Sequence, residues 1–356
     1  MKVVIAAGGT GGHIYPGLAV ADRLRDRDDS VLFLGSRRGL EKEIVPRRGY
    51  DIELLPVEPF HRTRPLSVGT AGVSVLRSLT TAREILRRFD PNLVLGMGGY
   101  ASFPAGLAAL LQKRPLLLHE QNAVPGLTNR ILFRGARRIL LGFPSRSPFP
   151  GKTVVVGMPV DERIRPERRE EVRRGRGWND GLPVLLVFGG SRGARSINDA
   201  VLGFWNRLPP CRLVWITGQA LFEEVRRRMP EKLPDTLLLL PYCEEMPDML
   251  VAADLAVCRA GAMTLAELAR AGIPAILVPY PRAAGRHQER NALLWEKHGA
   301  GVVVSDADVH QRLYDFVVEY LVDEEKRRFL RAAVVKLAVP DAADRVVREI
   351  DSVVEE

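Results

Sequence analysis

The stretch CRAGAMTLAELARAGIPAILVPYPRAAGRHQERN, Cys258 to Asn291, decides the fold. It begins at the end of a short apolar run, Asp254 to Cys258, which has the length of a buried parallel strand. Gly261 supplies a sharp turn, and Thr264 to Arg270 is rich in strong helix formers. Gly272-Ile273-Pro274 closes that helix, with a glycine just past its end and a proline behind it. A second strand, Ala275 to Pro279, leads into a loop that carries His287, Gln288 and Asn291. Strand, helix and strand in this order make one βαβ unit. Two readings of it compete. As a nucleotide site, its first-turn amides face an anion, Glu267 grips vicinal ribose hydroxyls and the loop reads a sugar. As an ordinary unit of a parallel sheet, it carries an exposed Glu and a solvated loop.

The rest of the chain repeats the alternation from its first residues. Val3 to Ala7 reads as a strand running into Gly8-Gly9-Thr10-Gly11-Gly12-His13, and Pro16 sits near the start of a helix that reaches about Asp26. Ser30 to Gly35, Asp51 to Leu55, Asn92 to Gly96, Leu116 to Leu118, Arg138 to Leu141 and Thr153 to Val156 read as further strands. Val68 to Phe89 reads as a helix, with Val73, Leu76, Leu79 and Leu86 among Arg77, Arg83, Arg87 and Arg88. Its apolar residues pack inward or dip into an anionic membrane surface. The charged run Arg163 to Arg176 interrupts the pattern, which restarts at Val184 to Phe188. IAAGGTGGH (5–13) and LVFGGSRGA (186–194) form a weak internal repeat at the head of each half. That repeat predicts two similar α/β domains with a ligand cleft between them. Val309 to Val354 reads as mostly helical.

A chain of 356 residues has room for two domains, each with its own core. The net charge of +9 is carried largely by Arg. It suits phosphorylated substrates or an anionic membrane, and equally an Arg-rich surface laced with ion pairs. Zinc-finger spacing and RNP-like aromatic strands are absent, so nucleic acid is not an expected partner. No apolar run approaches the ~18 residues needed to span a bilayer. The opening strand does not read as a secretion signal. Cys211, Cys243 and Cys258 are odd in number and lack CxxC pairing, as expected of buried thiols in a reducing cytosol.

The first Gly-rich loop lacks the GxGxxG order, although Gly11-Gly12 lets backbone approach a ligand closely. His13, at a strand's C-terminal end, suits either general-base work or a structural role. GGSRG matches the G-x-S-x-G elbow, which would make Ser191 a nucleophile backed by Asp254 and His287. A related loop opens the first half, where no nucleophile is needed, and this favours phosphate binding by Ser191 and its neighbouring amides. Two D-x-D pairs, Asp26/Asp28 and Asp306/Asp308, read as a helix end and a helix cap. Neither follows a strand into a cleft, and the His and Cys residues lack ligand spacing, so no metal or cofactor is expected.

GGTGGH (8–13), MGGYAS (97–102), HEQNAVPGLTNR (119–130), GGSRGA (189–194), CRAGAMTLAE (258–267) and HQ..NA (287–292) occur in this order. Together they resemble the MurG family of peptidoglycan N-acetylglucosaminyltransferases, from the first loop to the last helices. Members of that family move N-acetylglucosamine from UDP onto an undecaprenyl-linked muramyl-pentapeptide pyrophosphoryl acceptor. The resemblance implies the α/β GT-B architecture of two Rossmann-like domains with mainly parallel sheets. Residues 1–157 would form the acceptor and membrane-facing domain and 158–340 the UDP-sugar domain, with 341–356 a helix returning to the first. Carried over by position, Ser191 and nearby amides would hold the diphosphate, and Ala262, Met263, Thr264, Leu265 and Ala266 would line the donor. Glu267 would bind the ribose, the backbone around Cys243 the uracil, and Gln288 with His287 the hydroxyls of the transferred sugar. Thr10, Gly11, Gly12 and Asn122 would complete the site from the other domain, with His13 as base on the acceptor's 4-hydroxyl.

One departure stands out. The family motif GNPVR reads Gly157-Met158-Pro159-Val160-Asp161 here, so its phosphate-binding Arg is missing. Either Arg163 or Arg165 would replace it, or Ser191 and Arg192 would suffice. The reaction implied is an inverting, metal-independent single displacement at the cytoplasmic face of the membrane. Its partners would be UDP-N-acetylglucosamine, the lipid-linked acceptor, the anionic membrane surface and cell-wall synthesis proteins. The alternatives are another UDP-sugar enzyme of the same fold, such as a different lipid glycosyltransferase or a UDP-N-acetylglucosamine epimerase, the serine hydrolase, and a non-enzymatic binding module.

Overall fold

The computed structural model describes residues 1–57, 67–144, 148–190 and 193–356, apart from the side chains of 67–73 and 284. The chain forms two units, Met1–Asp161 with Val339–Glu356, and Glu162–Ala338. The first contains β1 (Lys2–Ala6), α1 (Gly11–Arg25), β2 (Ser30–Ser36), α2 (Glu41–Arg47), β3 (Asp51–Leu55) and α3 (Ser67–Phe89). It continues with β4 (Leu93–Gly96), α4 (Ser102–Leu111), β5 (Leu116–Glu120), α5 (Leu127–Leu132), β6 (Arg138–Leu141) and β7 (Thr153–Val155). Their order is β3-β2-β1-β4-β5-β6-β7, parallel throughout.

The second unit contains α6 (Arg169–Gly175), β8 (Val184–Phe188), α7 (Arg195–Leu202), β9 (Arg212–Ile216), α8 (Phe222–Arg227), β10 (Leu237–Leu240) and α9 (Met246–Ala252). It goes on with β11 (Leu255–Cys258), α10 (Ala262–Ala271), β12 (Ala275–Leu277), α11 (His287–Lys297), β13 (Gly301–Val303), α12 (Val309–Val322) and α13 (Glu324–Val335). This sheet, again all parallel, has the order β10-β9-β8-β11-β12-β13. The last helix, α14 (Ala342–Glu355), belongs to the first unit.

Burial on both faces explains why the strands read as unbroken apolar runs. In the first sheet Val3, Ile5, Leu93, Leu95, Leu117 and Leu140 share one face with residues of α1 and with Val346, Val347, Ile350 and Val353 of α14. Val4, Ala6, Val94, Leu116, Leu118 and Ile139 face the other way, against α3, α4 and α5. The period of two along each strand sorts the side chains between these layers. Each sheet reverses its strand order once, between β1 and β4 and between β8 and β11. Loops beyond the C-terminal ends of strands at such a point are where ligands bind in open α/β sheets.

The glycines of the opening stretch divide on inspection. Gly272 caps α10 at φ 67°, with its own amide on Ala269 O and that of Ile273 on Leu268 O, so it needs the left-handed region. Gly261, expected to permit a sharp turn, instead has φ −67° and ψ 143°, which any residue adopts.

Candidate active site

In the first unit the loops after β1, β4 and β5 converge on His13, the third residue of α1. Its Nδ1 lies 3.0 Å from Met97 O and 3.1 Å from Gln121 Oε1. Gln121 is buried, and its Nε2 donates to the same Met97 carbonyl at 2.5 Å. A carbonyl oxygen only accepts, so Nδ1 carries the proton and Nε2 bears the lone pair of the neutral ring. That tautomer suits a general base.

The imidazole is seated on two glycines in the left-handed region, Gly98 (φ 87°) and Gly99 (φ 78°). A Cβ on Gly98 would lie 3.1 Å from His13 Nδ1, and one on Gly99 would lie 2.2 Å from Gly8 O. MGGYAS is therefore the seat of His13. Thr10 is the exposed N-cap of α1 and makes no side-chain cap bond, while the amides of His13 and Ile14 return to its carbonyl. Gly11 and Gly12 supply amides of the first turn, which helix bonding leaves over.

The HEQN segment is organised from within by Glu120, which is almost fully buried. Its Oε1 accepts from Asn122 N at 3.0 Å and Asn122 Nδ2 at 3.4 Å. Its Oε2 accepts from Gly126 N at 3.0 Å and Asn129 Nδ2 at 2.9 Å. A buried carboxylate survives only when donors surround it, and here those donors fix the 122–126 turn. His119 is wholly buried, and its Nε2 donates to Gly157 O at 3.0 Å. Burial pushes its pKa down to about 4, so the ring is neutral near pH 7.

In the second unit the matching position is formed by the loops after β8 and β11. Gly193 (φ 73°) is pressed against backbone, since a Cβ on it would lie 2.1 Å from Thr217 O. Ser191 and Arg192, the expected phosphate contacts, lie outside the described residues. Helix α10 has no side-chain cap, and Leu265 N is bonded to Gly261 O at 3.0 Å. Ala262, Met263 and Thr264 therefore supply its first-turn amides. Ala262 and Leu265 turn their side chains into the core, whereas Met263, Thr264, Ala266 and Glu267 are half-buried. Burial first, and then the charge of the Glu267 carboxylate, raise the Cys258 thiol pKa.

Gln288, the second residue of α11, accepts from Tyr280 N at 2.9 Å through Oε1. Asn291, expected among the groups that read a sugar, is instead buried and donates to Ala260 O at 3.3 Å. It ties α11 to the turn after β11. His287 is half-buried at the head of α11, behind Arg286 in the left-handed region at φ 53°. Cys243 follows β10, half-buried, its thiol pKa raised chiefly by burial. Arg163 is exposed in the segment before α6, where its carbonyl accepts from Arg165 N at 2.9 Å and Arg168 Nη1 at 3.1 Å.

One expectation needs correction. Asp306 does follow a strand, β13, to the C-terminal edge of the sheet, and it pairs with Arg259 at 2.5 Å. Arg259 also reaches Ser196 Oγ at 3.0 Å and Val278 O at 3.0 Å. It thereby joins α7, the end of β12 and the turn after β13, a role no local spacing announces. Asp254 stands at the opposite, N-terminal edge, where it accepts from Arg169, from Arg173 and from Val184 N. The four residues of β11 separate it from the turn after that strand by roughly 13 Å. That position does not suit the acid of a triad with Ser191 and His287, so the hydrolase reading is not favoured. Among the described residues no group of three or more His, Cys, Asp or Glu side chains is arranged to hold a metal ion.

Residues 3–141 match the glycosyltransferase family 28 N-terminal domain, and residues 184–346 match the glycosyltransferase family 28 C-terminal domain. The chain belongs to glycosyltransferase family 28. Similar proteins include the UDP-N-acetylglucosamine–N-acetylmuramyl-(pentapeptide) pyrophosphoryl-undecaprenol N-acetylglucosamine transferase of Halothermothrix orenii. It is 40% identical over 340 residues, covering 92% of each chain. The transferase of the same name from Moorella thermoacetica is 40% identical over 369 aligned residues, covering 100% of each. The crystal structure of Acinetobacter baumannii MurG superposes with a TM-score of 0.75 at 29% identity over 99% of each chain. A calicheamicin glycosyltransferase shares the fold, with a TM-score of 0.71 at 17% identity over 99% of this chain and 98% of that one. The family 28 assignment makes the two parallel-sheet units the Rossmann-like pair of a GT-B glycosyltransferase.

Proposed function

We propose that the chain transfers N-acetylglucosamine from UDP-N-acetylglucosamine to the 4-hydroxyl of the muramyl sugar in undecaprenyl-pyrophosphoryl-MurNAc-pentapeptide. The observation that carries this reading is 40% identity, extending through both units, to transferases named for that donor and acceptor. His13 Nε2 takes the proton of the acceptor hydroxyl, whose oxygen attacks the anomeric carbon from the face opposite UDP. The bond from that carbon to the diphosphate oxygen breaks, and its electron pair leaves with UDP. The configuration inverts. General-base assistance of this kind contributes roughly 10²–10⁴-fold.

Charge gathers on the leaving diphosphate, and first-turn amides of α10 are suited to receive it. The cation of Arg259 is already matched by Asp306. Ser191 completes that cradle, with Arg163 supplying a positive charge where Asp161 replaces the family Arg. Glu267 accepts from the ribose hydroxyls, and the backbone at Cys243 meets the uracil. Gln288 commits its oxygen to Tyr280 N, which leaves its Nε2 as the donor for a sugar hydroxyl, beside His287. Thr10, Gly11, Gly12 and Asn122 serve the acceptor.

The lipid-linked acceptor calls for contact with an anionic membrane surface on the cytoplasmic side. Leu127 and Ile131, one helical turn apart on α5, are 57% and 55% exposed, and Leu111 of α4 is likewise exposed. Arg130 and Arg134 stand exposed among them. Apolar residues flanked by Arg suit a bilayer interface. On α3, Ala82, Ile85 and Leu86 are buried, while Leu76 points outward beside exposed Arg77. No described helix is long and apolar enough to cross a membrane.

The test is UDP release from UDP-N-acetylglucosamine with and without a short-chain analogue of the acceptor. Release should depend on the acceptor. His13→Ala should lower turnover by roughly 100-fold or more with little change in donor KM. Equal release without the acceptor, or a His13→Ala loss confined to donor KM, would contradict the assignment.

A further inference from the structure

The reaction above makes no use of Glu41, although the structure is built closely around it. Glu41 is the first residue of α2, and its side chain is wholly buried. Its Oε1 accepts from Ser36 N and from Ser36 Oγ, both at 2.7 Å. Its Oε2 accepts from Gly9 N at 3.0 Å. Three glycines make room for the carboxylate. A Cβ would lie 2.7 Å from Oε1 on Gly8, 2.4 Å from Cγ on Gly35 and 2.0 Å from Oε2 on Gly39. Tyr100 covers the arrangement, with its hydroxyl 2.7 Å from Ser36 Oγ and its ring 2.8 Å from where a Gly9 Cβ would stand.

A buried carboxylate is a poor device for stability alone, because a well-packed apolar residue of the same volume commonly does as well or better. What the charge adds is one fixed direction: it anchors the Gly9 amide, in a left-handed residue (φ 91°) of the turn between β1 and α1. Thr10, Gly11, Gly12 and His13 follow without interruption. We propose that Glu41 is a positioning residue for the acceptor half of the reaction. It holds the 8–12 turn so that the first-turn amides of α1 and the His13 ring meet the acceptor in one geometry. This rests on the assignment of the first unit to the acceptor.

Glu41→Gln keeps the shape but turns an N–H₂ donor toward one of the amides that the carboxylate accepts from. The amide oxygen is best placed where two donors converge, Ser36 N and Ser36 Oγ, so the N–H₂ meets Gly9 N and the turn moves. Ser36→Ala is the matched control, since it removes two hydroxyl contacts and leaves the Gly9 bond in place. Steady-state kinetics on the full chain, varying each substrate separately, are read beside thermal melting of the three proteins. In Glu41→Gln, kcat/KM for the short-chain acceptor should fall roughly ten- to a hundredfold, with donor KM close to wild type. Ser36→Ala should lose melting temperature yet keep its acceptor kinetics. A Glu41→Gln protein with lowered melting temperature and unchanged acceptor kinetics would overturn the proposal and make Glu41 a stability residue. So would parallel losses for donor and acceptor in both variants. If wild type itself shows no acceptor-dependent release, the functional assignment fails first and this inference falls with it.

Discussion

His13 and His119 stand near each other at the strand ends of the first unit, and solvent access separates their chemistry. His13 is half-buried with its Nδ1 proton committed, whereas His119 is sealed in and neutral. Unfolded, His119 takes a proton near its ordinary 6.5; folded, it does so only near about 4. As pH falls through that interval the unfolded state binds the proton first, so stability is lost, by roughly 3 kcal/mol at the limit. Above pH 6.5 this loss is absent. His119→Gln keeps an N–H for Gly157 O and should flatten the fall in urea midpoint between pH 6.5 and pH 4. A slope equal to wild type would assign that titration to other groups. The candidate residues that the sequence offers lie in contiguous motifs at strand ends, as His13 and Glu267 do. Gln121, Glu41 and Arg259 carry no such signal, because Gln121 meets His13 across 108 residues, Glu41 meets Gly9 across 32 and Arg259 meets Ser196 across 63.

At the scale of elements, most of the strands could be read because parallel strands covered on both faces must be continuously apolar. The three-residue β13 carried too short a run to stand out, and the half-exposed β10 borders its sheet. Gly261 shows the limit of reading glycine as a turn, since only its φ reveals whether the missing Cβ matters. Helix α14 lends itself to a direct test. Ile350 is wholly buried against the face of the first sheet that carries Val3 and Ile5, whereas Val354 is largely outside that core. Ile350→Ala should cost roughly 2–5 kcal/mol in urea unfolding, and Val354→Ala less than about 0.5 kcal/mol. Equal costs would show that α14 does not complete the core. Donor KM should be unchanged in both, because the residues proposed to hold the donor sugar nucleotide belong to the other unit.

For the molecule as a whole, the internal repeat foretold two α/β units, and the strand-order reversal of each has candidate residues beside it, Thr10 to His13 after β1 and Ala262 to Glu267 after β11. The division of labour is testable through Glu267. Glu267→Ala should raise donor KM and shrink the rise in melting temperature that UDP produces, while acceptor KM holds. An unchanged UDP response would remove Glu267 from the ribose. The claim that matters most is inverting transfer to the acceptor's 4-hydroxyl, and proton NMR of the purified product reads it directly. The account predicts a disaccharide whose new anomeric proton shows the large diaxial coupling of a β linkage, with a through-bond correlation to carbon 4 of the muramyl sugar. An α linkage, attachment elsewhere, or free N-acetylglucosamine as the sole sugar product would contradict it.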